Sequence, residues 1–133
     1  MYEKLTNRVM NLLLEGDDYV LRVLREQYQN AEISSIEDTR VGMFVDFLVP
    51  ASKKIPIQKN LSQNFELGDV HGTIDGSSGG VGFILFVRDG VISMLEGCQY
   101  NSDDWEKVTE DIELGYGENG RDIEKLSSSW CTK

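Results

Sequence analysis

A chain of 133 residues, 40% hydrophobic and 27% charged, reads as one soluble globular domain (residues 1–133) with enough apolar surface for a core. Its formal net charge of -10 disfavours direct contact with nucleic acid or an anionic membrane, which would repel it, and favours a basic partner. No apolar run approaches the roughly 20 residues of a membrane span, and the N-terminal stretch "MYEKLTNRVMNLLLEGDD" lacks the shape of an export signal, so a cytoplasmic location is expected.

Leu5, Val9, Leu12 and Leu13 recur at helical spacing over residues 2–14, and Gly16 is placed to end that helix. Asp17 or Asp18 can N-cap a second helix, in which Val20, Val23, Leu24 and Tyr28 share a face while Arg22, Arg25 and Glu26 point toward water. From Ala31 the period shortens. "AEISSIEDTRVGMFVDFLVP" predicts strand, turn, strand, with Met43, Val45 and Phe47 alternating against Phe44, Asp46 and Leu48. "ASKKIPIQKNLSQN" reads as a long basic surface loop, and "NFELGDVHGTID" as a third strand carrying Phe65, Leu67, Val70 and Ile74.

Asp89-Gly90 is a strong two-residue hairpin signal, because a type I′ turn needs positive φ at both positions. An unbroken register from that turn pairs Val87 with Ile92, Leu85 with Met94 and Ile84 with Leu95. It makes both faces of the hairpin apolar, so a central place in the sheet with cover on much of both sides is expected. The same register puts Glu96 on the face of Phe83, Leu85 and Val87, where a carboxylate needs a partner or water. "DIELGY" then suits an edge strand, and "GRDIEKLSSSW" a short terminal helix with Ile123, Leu126 and Trp130 on one side.

Catalytic signatures are weak. The loop "DGSSGG" lacks the lysine and following helix of a P-loop, so Gly76, Gly79 and Gly80 read as a strand-to-strand connection. Ser77 and Ser78 lack the GxSxG elbow. His71 is the single histidine; with Asp69 and Asp75 on one strand face it could hold a general base or a divalent cation. Cys98 and Cys131 form neither a CxxC pair nor a metal-ligand spacing and are expected to be reduced thiols. Between Asn101 and Glu124 nine carboxylates face two cations. Two readings stand for this segment: an acidic solvated face whose aromatics point into the core, or a partner-binding surface built on Asp103, Asp104, Glu106, Glu110, Asp111 and Glu113, with Tyr100 and Trp105 as aromatic anchors.

The stretch "GDVHGTIDGSSGGVGFILFVRDGVISMLEGCQYNSDDW" contains the pattern GFxLFxxDGxxxxLEG followed by an aromatic and a tryptophan. With the leading "LLLEGDDYVLRVLREQ", it resembles small bacterial α+β proteins, some of them similar to the immunity proteins of contact-dependent growth inhibition and related polymorphic toxin systems. The resemblance covers roughly residues 5 to 116 and carries no catalytic residue. It implies a non-enzymatic toxin inhibitor whose partner is a basic toxin domain such as a nuclease, with no cofactor and no metal. Together these features predict an α+β fold: two N-terminal helices packed on a mainly antiparallel sheet of about five strands, with the Asp89-Gly90 hairpin at its centre. The alternative function is a small enzyme or a ligand- or metal-binding domain using His71 and the glycine-rich loop.

Overall fold

The structure, a computed structural model, describes residues 1–76, 79–102 and 104–132. Helices α1 (Glu3–Leu13) and α2 (Tyr19–Gln29) form as the periodicity predicts. The Asp18 carboxylate caps α2 by accepting from the Val20 amide at 2.8 Å. Arg25 does not point to water. Its guanidinium donates to the carbonyls of Leu14 (2.5 Å) and Gly16 (2.7 Å), satisfying groups that the end of α1 leaves open.

The strands are β1 (Glu32–Asp38), β2 (Gly42–Leu48), β3 (Phe65–Thr73), β4 (Val81–Arg88), β5 (Val91–Gln99) and β6 (Glu113–Gly115), followed by the short helix α3 (Ile123–Ser127). Among the described residues they make one antiparallel sheet of six strands in the order β1-β2-β5-β4-β3-β6, one strand more than expected. The β4–β5 hairpin is central, and its turn has φ of 53° at Asp89 and 79° at Gly90.

The register departs from the simple one. Val87 pairs with Ile92, but Phe86 then pairs with Met94, Leu85 with Leu95 and Ile84 with Glu96, so Ser93 is the extra residue of a bulge. One added residue turns everything after it to the opposite face. Leu95 therefore joins Val81, Phe83, Leu85 and Val87 in the core, while Met94 and Glu96 face the other way. A second bulge, between Leu67 and Val70 in β3, lets both of these side chains reach the core although they lie three apart.

One face of the sheet is covered. Leu5, Val9, Met10 and Leu13 of α1 and Val20, Leu21 and Leu24 of α2 pack with Met43, Val45, Leu67, Phe83 and Leu85 into a single buried cluster. The opposite face is not covered by the described residues, contrary to the expectation of shelter on both sides. Phe44, Ile84, Phe86 and Met94 are only half-buried there, and Leu48 is 58% exposed.

The sheet and helices are locked by one residue that lacks any periodic signal. Gln27 of α2 is fully buried; its amide nitrogen donates to the carbonyls of Lys53 (3.0 Å) and Gly90 (2.8 Å), and its oxygen accepts from the Ile92 amide (2.9 Å). The loop after β2 is drawn onto the same turn, with Ile55 N donating to Gly90 O at 2.9 Å. Gln27→Leu keeps the volume and orphans the buried Ile92 amide. It should lower stability by roughly 1–3 kcal/mol, read as a reduced urea midpoint with an unchanged denaturant slope.

Candidate functional site

The acidic segment that begins near Asn101 is used in part as scaffold. Trp105 is 2% exposed, so it packs the core instead of anchoring a surface. Its indole lies edge-on to Tyr2 and Phe83, and Nε1 donates to the Tyr2 hydroxyl at 3.2 Å. Gly97 makes the room: a Cβ there would sit 2.8 Å from the indole. Asp104 is buried beside it. Glu110 accepts from the Lys4 and Leu5 amides at 2.9 and 3.4 Å, capping α1, whose own N-cap residue Tyr2 supplies no side-chain cap. Arg8 donates to the carbonyls of Glu110 and Ile112, both at 2.8 Å. Asp111 pairs with Lys4 at 2.5 Å, and that hydrogen bond holds its carboxyl below the ordinary range. Of the residues expected to form a partner surface, Tyr100, Glu106, Asp111 and Glu113 are exposed, Asp111 and Glu113 beside one groove; Asp103 lies outside the described residues.

The residues around His71 separate in the same way. Asp69 lies in the β3 bulge, between Leu67 and Val70, and Asp75 lies beyond the end of the strand at Thr73. Asp69 is bound by Arg121, with Nε to Oδ2 at 2.8 Å and Nη2 to Oδ1 at 3.2 Å. Arg121 also donates to the carbonyls of Leu13 (2.5 Å) and Glu15, and its guanidinium stacks 5.0 Å over the Tyr116 ring. Asp69 and His71 line a groove of about 470 Å³ that Glu66, Gly117, Asp122 and Lys125 complete, whereas Asp75 lines a different one beside Thr73 and Lys107. Among the described residues no group of three His, Cys, Asp or Glu side chains is placed to hold a metal ion.

His71 Nδ1 lies 2.6 Å from the Tyr100 hydroxyl. Tyr100 reaches it by crossing Gly82, where a Cβ would fall 2.0 Å from the phenol oxygen. Cys98 and His71 flank Gly82 on the two neighbouring strands, about 10 Å apart by strand spacing, so they do not form a nucleophile–base pair. Burial, then the charge of Glu96, pushes the Cys98 thiol up, away from the reactive thiolate. The described ends of the glycine loop join strands: Gly76 and Gly80 have positive φ, a Cβ on Gly80 would strike the Gly72 carbonyl, and β4 follows. Ser77 and Ser78 lie outside the described residues.

The surface that these corrections expose is the open face of the sheet. Phe44, Ile84, Phe86 and Met94 form its centre, with Asp46, Glu66, Glu96, Cys98, Tyr100 and His71 around and among them. Arg88 lies over Phe86 and pairs with Glu66; Ser35 donates to Asp46 at 2.8 Å. Sequence reasoning missed this face because it read Met94 and Glu96 on the wrong side of the hairpin. Compared with protein-family models, curated proteins and solved structures, the chain matches none.

Two outcomes follow from the scaffold roles. Glu110→Ala should lower the melting temperature through loss of the α1 cap, worth about 1 kcal/mol, as followed by calorimetry. Burial, with the hydrogen bond to Glu15 adding and Arg121 opposing, pushes the Tyr116 phenol from 10.0 up to about 12. A raised phenol contributes stability that is intact below its unfolded value and is lost as pH rises through its folded one. Urea midpoints should therefore fall between pH 10 and 12, and Tyr116→Phe should flatten that fall.

Proposed function

We propose that this domain binds and neutralises a basic protein, and that it acts as an immunity protein against a cognate toxin domain of the nuclease kind. The observation that carries the reading is the uncovered sheet face: an apolar centre of Phe44, Ile84, Phe86 and Met94 interspersed with carboxylates, on a chain of net charge -10. A contiguous apolar surface among polar groups suits a protein interface. The acidic field suits a partner whose own surface is built to hold phosphate, and opposite fields speed encounter. The resemblance in the hairpin region points to the same class. No helix among the described residues is long and apolar enough to cross a membrane.

One feature supports a second reading, a small ligand-binding domain or enzyme: the His71–Tyr100 pair at the edge of the groove lined by Asp69 and Lys125. On that reading His71→Ala removes a thermal shift given by a metal or metabolite panel.

The immunity reading is tested by capturing partners on the tagged protein from its native cells at low and high salt. A stoichiometric basic protein released by salt, whose nuclease activity the domain then inhibits one-to-one, is the expected result. An acidic partner, no partner, or a basic partner whose activity is untouched would sink it.

A further inference from the structure

The open face carries two cross-strand pairs of an aromatic ring and a carboxylate. In one, Phe86 of β4 stands opposite Glu66 of β3. Arg88 completes it: the guanidinium carbon lies 5.3 Å from the Phe86 centroid, and Nη1 donates to Glu66 Oε2 at 2.8 Å. Ring face and carboxylate thus hold the same cation together. In the other pair, Phe44 of β2 stands opposite Glu96 of β5, and Ile84 of β4 flanks Glu96 on its far side. All three are half-buried. The Glu96 carboxylate makes no hydrogen bond or ion pair with any described residue. A carboxylate set between two large apolar side chains is partly stripped of water, and a cation that reaches it is rewarded more strongly than one at an open surface.

Building on the reading of this domain as a binder of a basic protein, we infer that Phe44, Glu96 and Ile84 form the subsite for an arginine of that partner. The guanidinium stacks on Phe44 and donates to Glu96, while its aliphatic stem lies along Ile84. Arg88 on Phe86 and Glu66 shows the same recognition made within the chain. Arginine fits better than lysine because its planar fork can stack and donate at once, and it is more weakly hydrated. A second copy of this chain is a poor occupant, since two bodies of charge -10 would meet through like-charged faces.

The test is a titration of the isotopically labelled protein with capped Ala-Arg-Ala, Ala-Lys-Ala and Ala-citrulline-Ala peptides, followed by amide shifts. Saturable shifts at Phe44, Ile84 and Glu96 with the arginine peptide are expected, weaker binding with lysine, and none with citrulline. Glu96→Gln should reduce affinity about tenfold, the loss expected for one charge-assisted contact, without lowering the melting temperature. Phe44→Leu, which keeps the apolar packing, should weaken binding as well. Shifts that survive Glu96→Gln, that centre on Glu106 and Glu113, or that disappear on dilution with a dimer seen in sedimentation would overturn the subsite. Equal affinity for the lysine peptide would overturn arginine as its occupant. The captured basic protein separates this inference from the reading beneath it. Capture unaffected by Glu96→Gln leaves the partner and removes the subsite. Peptide binding lost in Glu96→Gln, with no basic protein captured, leaves the subsite and removes the partner.

Discussion

Three hydrogen bonds made by the buried amide of Gln27 hold the centre of the sheet to its helical layer. Two of them reach the type I′ turn, where β4 ends and β5 begins, and the third the loop after β2, which returns to the body there. Once α2 is held to that turn, both N-terminal helices lie on the Phe83–Leu85 side of the sheet. The chain after β6 contributes Trp130 against Phe65 on the same core, with α3 alongside. Nothing in the described chain remains to cover the other side. The open face is therefore a consequence of where the helices are fastened, and its half-exposed side chains are the outward rows of strands whose inward rows build the core.

Much of this could be read from residue order. The α1 and α2 periodicity, the Asp18 cap, the Met43–Phe47 alternation, the edge position of "ELG" and the Asp89-Gly90 turn all rest on local chemistry, and local chemistry is legible. What could not be read rests on long-range partners. The Ser93 bulge leaves no mark in the alternation, because Ile92, Met94 and Leu95 are all apolar and either register looks sensible. Gln27 looks like an ordinary polar helical residue until its three partners from two other segments are placed around it. Trp105 lies in an acidic stretch, and only the hole left by Gly97 shows that its ring goes inward.

Charge followed the same division. The excess of carboxylates after Asn101 was plain, but its use was not. Glu110 serves the positive end of α1, so part of the negative charge that looked available to a partner is spent on the fold, while Asp111 pairs with Lys4 at the surface. The signal for Glu96 was present in the sequence as a carboxylate that did not fit its surroundings. Its correct face emerged with the bulge, and there the misfit persisted: it stands between Phe44 and Ile84 without a cation among the described residues.

Arg121 gives the fold a temporal order. Its guanidinium closes on the carbonyls of Leu13 and Glu15 and on Asp69, joining the end of the first helix to the third strand through a residue more than a hundred positions downstream. While the chain is being synthesised from its N-terminus, α1 can form but its last turn stays open to water. Glu110, which caps the other end of that helix, also arrives late. Both ends of α1 are thus finished by residues about a hundred positions downstream, so the native domain cannot close until Arg121 has been made.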